Sequence, residues 1–138
     1  MDEVQIVVFK LGEEEYGMDI MKVQEIIRPP QTTKLPGAPA HEIGVCNLRG
    51  KIVPIIDLRS RFGLEKSENN EDTRVIIKKH DNQYQGLIVD GVNEVLKIGS
   101  DCLESVGDVS RTVENQFITG IARIGERLII ILNSTADI

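Results

Sequence analysis

Apolar residues come in short runs rich in Val and Ile, interrupted by Gly, Asn, Asp or Pro, which is the pattern of β-strands. Val4 to Leu11, Glu14 to Asp19, Val45 to Leu48, Ile52 to Ile56, Arg74 to Lys79, Gln83 to Val89, Val92 to Ile98, Phe117 to Ile124 and Arg127 to Leu132 all read this way. Ile6-Val7-Val8-Phe9 and Leu128 to Leu132 are apolar on both faces, so their strands are expected to be covered on both sides. Gly12-Glu13 and Gly125-Glu126 place glycine first in a two-residue loop, as a type II′ turn requires, and Asp81-Asn82 suits a type I′ turn. Pro54 has no N–H to give to a ladder, which predicts an edge or a bulge.

Helical spacing is nearly absent. Asp57 can cap a short helix over Leu58 to Phe62 that Gly63 ends, and Asp19 can cap a single turn over Ile20 to Lys22. Glu65 to Asp72 contains no apolar residue and cannot pack inward, so it is the expected boundary between one lobe at about 13–68 and another at about 73–133, joined by the strand 4–11. Ser105 to Asn115 and the Pro-rich Pro29 to Pro39 read as surface loops. Many short strands, hairpin links and little helix predict small closed β-barrels.

Length and charge narrow the functional classes. The chain has 138 residues, enough for one compact domain or two small lobes without a disulfide or metal staple. A net charge of -6 without a Lys/Arg cluster counts against nucleic acid and anionic membranes, whose phosphates demand clustered cations. Cys46 and Cys102 show neither a CxxC nor a disulfide framework, which fits a reduced compartment. Met1-Asp2-Glu3 is acidic where a secretory signal is basic, and the longest apolar run, Leu128 to Leu132, is far short of the ~18 residues that span a bilayer. A cytoplasmic chain without membrane insertion is expected.

No motif marks catalysis. His41 and His80 lack metal-ligand spacing and read as surface or strand-end residues. A phosphate loop over Gly44 to Ile52 fails at Val45, where glycine is needed, and at Ile52, where Ser or Thr would hold magnesium. Asn133-Ser134-Thr135 fits the N-glycosylation pattern but has no meaning inside a cell. Glu13-Glu14-Glu15 reads as a solvated face rather than a cation site. A Ser-His-Asp or Cys-His set meets only in space, so the sequence alone leaves it open. No enzyme activity, cofactor or metal is expected.

Phe9-Lys10-Leu11-Gly12-Glu13-Glu14-Glu15-Tyr16-Gly17-Met18-Asp19-Ile20 is followed by Lys22-Val23-Gln24-Glu25-Ile26, by Leu35-Pro36 and Pro39, and by the continuous stretch from Gly44-Val45-Cys46-Asn47-Leu48-Arg49-Gly50 to Asp57-Leu58-Arg59 and Phe62-Gly63. Gly86-Leu87-Ile88-Val89-Asp90-Gly91-Val92, Glu94-Val95-Leu96, Gly120-Ile121 and Arg127 to Leu132 continue the order. From about Val4 to Asn133 this closely resembles the CheW family of bacterial chemotaxis coupling proteins, the Asn-Leu-Arg-Gly to Asp-Leu-Arg stretch being its most specific part. Cys46 stands where the pattern tolerates several small residues.

The resemblance implies a mainly β fold, two intertwined five-stranded β-barrel lobes of SH3/OB-like type with one or two short helices. It also implies a non-catalytic adaptor that couples chemoreceptor cytoplasmic signalling tips to the regulatory domain of the histidine kinase CheA at membrane-associated arrays. The kinase's own regulatory domain and the receptor-binding part of CheV share the pattern; with the chain ending at Ile138, a stand-alone coupling protein is expected. By the same resemblance Val23, Glu25, Gly44, Asn47, Arg49 and Gly50 match receptor- or kinase-coupling positions. Glu25 and Arg49 are expected to pair, and Val92 and Val95 are candidates for an apolar patch facing a barrel of the kinase.

Each assignment has a plainer rival. Glu25 and Arg49 read equally as solvated charges, Val23, Val92 and Val95 as core valines, and Gly44 and Gly50 as positive-φ or close-packing positions. Two other classes stay open: an OB-like nucleic-acid-binding barrel, opposed by the charge and by five aromatic residues in all, and a small β-barrel enzyme.

Overall fold

The structure is a computed structural model and describes residues 3–105, 117–136 and 138; most of the expected loop Ser105 to Asn115 lies outside the described residues. Strands follow in the order β1 (Glu3–Leu11), β2 (Glu14–Asp19), β3 (Val23–Ile27), β4 (Glu42–Leu48), β5 (Lys51–Asp57), β6 (Arg74–His80), β7 (Gln83–Val89), β8 (Gly91–Gly99), β9 (Leu103–Ser105), β10 (Ile118–Ile124) and β11 (Arg127–Leu132). One short helix, α1 (Leu58–Arg61), and 3-10 turns at Ile20–Lys22 and Ser100–Cys102 complete the described elements. Asp57 caps α1 by accepting the Arg59 N–H at 3.1 Å, Gly63 follows it at φ +80°, and Asp19 accepts the Met21 N–H at 2.9 Å.

The predicted hairpins form. Gly12 and Gly125 have positive φ and are followed by glutamates that do not, as type II′ turns require, while Asp81 and Asn82 are both positive, as type I′ requires. Pro54 lies on β5 between β7 and β4 rather than at an edge, and the bulge of its hairpin falls next to it, between Glu42 and Gly44 opposite Ile56 and Ile55. Its partner Val45 turns both backbone groups outward to Thr33, at 2.8 Å each, so the missing Pro54 donor faces the β7 side, where pairing begins only at Ile55.

Backbone contacts divide the chain into two units. The described residues of Met1–Lys22 and Val92–Asp137 form one, and Val23–Gly91 with Ile138 form the other. The first is built on a six-stranded sheet in the order β8-β1-β2-β11-β10-β9, the second on a five-stranded sheet in the order β3-β6-β7-β5-β4. The mainly β architecture therefore matches expectation, with β3 in the second sheet and the three-residue β9 in the first as strands that the sequence pattern did not mark. The expected lobe boundary at Glu65 to Asp72 does not divide the units, because β6 and β7 lie beyond it yet form the middle of the second sheet.

The physical reason is an internal repeat. Each sheet contains a single strand (β8 or β3), a hairpin (β1–β2 or β6–β7) and a second hairpin (β10–β11 or β4–β5), joined by parallel pairing of β2 with β11 or β7 with β5. Gly17 meets Ile131 in the first parallel pair and Gly86 meets Ile55 in the second. Bulges fall between Ile118 and Gly120 and between Glu42 and Gly44. Asn133 and Asp57 end the last strands alike, their N–H groups donating to Phe117 and His41 carbonyls at 2.7 and 2.8 Å. Each half of the chain supplies its first hairpin to the sheet of the other half, and Glu65 to Asp72 separates the repeats instead of the units.

The cores repeat as well. Ile6, Val8, Ala122 and Ile129 are buried in the first unit at the positions that Val75, Ile77, Cys46 and Val53 occupy in the second. Burial also pushes the Cys46 thiol above its ordinary pKa, which keeps it in its unreactive protonated form.

Candidate functional site

The candidate site is built on the tip of the β4–β5 hairpin. Leu48 and Lys51 are the last paired residues, and Arg49 (φ +50°) and Gly50 (φ +85°) form the two-residue turn, both in the left-handed region that a type I′ turn demands. Gly50 adopts this at no steric cost, and Asn47 Oδ1 accepts its N–H at 2.9 Å, fixing the turn from the preceding strand. Arg49 has a Cβ and is strained there. Such an outlier persists where the side chain is wanted for something else.

That side chain forms an ion pair with Glu25 on β3. β3 and β4 stand at the two ends of the strand order, so the sheet curls until its edges approach. Thr33, in the Pro-rich segment after β3, completes the closure by exchanging both backbone hydrogen bonds with Val45. Gly44 makes that possible: a Cβ on it would lie 2.5 Å from the Thr33 carbonyl oxygen. The Glu25 side chain is 23% exposed and the Arg49 side chain 69%, so the carboxylate is seated and the guanidinium projects. Beside them a cavity of about 140 Å³ is lined by Gln24, Glu25, Leu48, Arg49, Lys51 and Tyr84, among others.

Glu25, Gly44, Asn47, Arg49 and Gly50 thus fall in one unit, around one closed sheet edge. Their roles differ, with Asn47, Gly50 and Gly44 shaping the backbone and Glu25 and Arg49 presenting side chains. Val23 is half-buried at the start of β3, opposite Lys78. Val92 and Val95 lie on β8, which is in the other sheet. Val92 is half-buried and Val95 is 48% exposed, so neither is the fully buried core valine of the rival reading. Nothing in the sequence assigns Lys51 and Tyr84 a site role; in the structure Lys51 Nζ donates to the Tyr84 hydroxyl at 2.9 Å and stands 4.4 Å from the ring centroid. Only the internal repeat marks them.

Two further clusters hold the units in shape. Arg59 donates from Nε and Nη2 to the two Asp90 carboxylate oxygens at 2.8 and 2.7 Å and from Nη1 to the Glu65 carbonyl at 3.0 Å, tying α1 to the end of β7. The Asp-Leu-Arg motif is therefore explained by folding. In the first unit Arg127 donates to both Glu15 oxygens at 3.0 Å and to Glu94 at 2.9 Å. Among the described residues no group of three or more His, Cys, Asp or Glu is placed to hold a metal ion, and no described helix is long and apolar enough to cross a membrane.

The hydrogen bond from Arg127 holds the Glu15 carboxyl below its ordinary pKa. A carboxylate depressed in the folded state adds stability above its unfolded value, about 4.3, and loses it as pH falls through the lower folded value. Stability to urea is expected to fall over that acid window, and Glu15→Gln to flatten the fall. An unchanged acid slope in the variant would show that the pair does not contribute.

The site is thus a projecting, strained arginine held on a seated carboxylate at the closed edge of a curled β-sheet. The model of the CheW-like domain matches residues 5–136, and the chain belongs to this family. Among its relatives, chemotaxis protein CheW of Klebsiella aerogenes is 39% identical over 129 residues, covering 94% of this chain and 78% of that protein. Chemotaxis protein CheW of Helicobacter pylori is 34% identical over 129 residues, with the same shares covered. The solved scaffolding protein TtCheW from Thermoanaerobacter tengcongensis superposes with a TM-score of 0.88 at 42% identity, over 96% of this chain and 90% of that one.

Proposed function

We propose that the protein is a non-catalytic adaptor of chemotaxis signalling that couples chemoreceptor cytoplasmic tips to the regulatory domain of the histidine kinase CheA. Its place is the cytoplasmic face of receptor arrays, reached through these partners rather than by membrane insertion. The observation that carries this reading is the Arg49–Glu25 pair. Arg49 occupies a backbone conformation that Asn or Gly would fill better, and the exposed pair adds little to folding, so binding is the role that accounts for it.

Val23 and Gly44 shape the edge on which Glu25 sits, and Val92 and Val95 supply an apolar contact on the other unit. Two docked domains of standard size bury ~800 Å² each, which gives specific binding without a cofactor. The test is receptor-dependent stimulation of kinase activity in a mixture of CheA, receptor fragment and this protein. Stimulation that depends on all three is expected, and kinase activity indifferent to the protein would overturn the reading.

A further inference from the structure

The two repeats match in strand register, and one of them lacks a carboxylate that the other has. Lys10 faces Glu15 across the β1–β2 hairpin, and Lys79 faces Tyr84 across the β6–β7 hairpin, at the equivalent register. Arg127 follows the β10–β11 turn, paired with Ile124, as Lys51 follows the β4–β5 turn, paired with Leu48. The contact of Arg127 with Glu15 at 3.0 Å therefore corresponds to the contact of Lys51 with the Tyr84 hydroxyl at 2.9 Å. Glu94, in Val92-Asn93-Glu94, likewise corresponds to Glu25, in Val23-Gln24-Glu25.

The balance of charge differs. In the first unit one arginine is held by two carboxylates. In the second, Glu25 is taken up by Arg49, and the place of the other carboxylate is filled by a phenol. Lys51 and Lys79 stand 4.4 and 5.5 Å from the Tyr84 ring centroid, and among the described residues neither has an ion pair with a carboxylate. The hydrogen bond from Lys51 draws the Tyr84 pKa below its ordinary value, a sign of how positive the site is. Three cations, Arg49, Lys51 and Lys79, thus meet one carboxylate on a chain whose net charge is -6.

We propose that Lys51 and Lys79, flanking Tyr84, form a carboxylate-binding site that takes an Asp or Glu side chain from an acidic segment of a partner protein. The incoming carboxylate does for these lysines what Glu15 does for Arg127. The cavity beside Tyr84 is lined by Lys51 as well as by Arg49 and Glu25, so an acidic side chain held by Lys51 is read together with that pair. This rests on the adaptor reading for the identity of the partner and extends it by naming the chemistry that the partner presents. Complementary charge of this kind sets partner choice and gives binding that salt weakens.

Tyr84→Glu is the decisive variant, because it installs the missing carboxylate within the chain. It is expected to fold, the new carboxylate pairing with the two lysines where the ring packed against the core edge, and to bind whichever of the receptor-tip and CheA regulatory-domain fragments uses the site about tenfold more weakly. Lys51→Glu is expected to weaken the same binding and reduce its salt dependence. Calorimetric titration of each fragment at low and high ionic strength reads both. If a fragment binds the wild type and both Tyr84→Glu and Lys51→Glu bind it equally well, the site is overturned and the adaptor reading survives. If neither fragment binds the wild type, the adaptor reading falls. A short glutamate-rich peptide then decides the site alone: salt-sensitive binding lost in Tyr84→Glu sustains it, and no binding, or binding unchanged in the variant, removes it.

Discussion

Gly44→Ala is expected to lower stability by about 2–3 kcal/mol, the largest effect of a single methyl group anywhere on the hairpin, because overpacking against backbone has no cheap relief. The added carbon would lie 2.5 Å from the Thr33 carbonyl oxygen and 2.9 Å from its carbonyl carbon. Relief requires Thr33 to move away, which breaks the two 2.8 Å hydrogen bonds it shares with Val45 and opens the closed edge. For a chain of this size the melting temperature should fall by roughly 6–12 °C. Alanine at Gly12, whose Cβ would meet nothing within 4 Å, separates this packing cost from the conformational cost of losing a glycine at positive φ. A Gly44→Ala protein that melts with the wild type would mean that the close approach to Thr33 does not organise the site.

Arg49→Asn is expected to separate folding from coupling. Asn-Gly is the preferred pair for a type I′ turn, so relief of the left-handed strain should raise the melting temperature by about 2–5 °C even as the exposed ion pair is lost. Coupling should move the other way, with binding to one partner weakened about tenfold or more, as truncation of a central arginine commonly does. Glu25→Arg should also lose coupling, by placing two cations side by side where the pair stood. A gain in stability bought with lost function is the mark of a residue kept for binding. Were Arg49→Asn to melt lower and couple normally, the turn residue would be structural and the site would lie elsewhere.

Nine of the eleven described strands and three of the hairpin turns were legible because the local chemistry is explicit; β3, which carries Glu25, and the three-residue β9 were not. Alternating apolar runs, a glycine opening a two-residue loop and Asp-Asn between strands each specify one backbone answer. The Arg49-Gly50 turn was not, since arginine gives no turn signal and its φ shows only in the folded chain. Pro54 escapes the edge rule because that rule counts donors, and the register places the missing donor where no ladder bond is due. The unit boundary misled for a topological reason: Glu65 to Asp72 is polar because it links repeats, and polarity does not say which sheet the next hairpin joins.

For the site, the family resemblance brought Glu25 and Arg49 forward, and the structure supplied the contact between residues 24 positions apart. Val95 is half exposed, while Gly44, Asn47 and Gly50 have structural explanations that stand without any partner. Lys51, Lys79 and Tyr84 were invisible beforehand, because nothing in a Lys or a Tyr within a strand points to its neighbour. They emerge only when the two halves are compared, where a phenol stands in the place of a carboxylate.

Sedimentation of the full chain mixed with the CheA regulatory domain and a chemoreceptor-tip fragment tests the central claim most directly. One particle containing all three proteins is the expected result, with the Arg49→Asn chain losing at least one member of it. Mutually exclusive binding of kinase and receptor fragments, so that addition of one always expels the other, would contradict a protein whose work is to hold the two together.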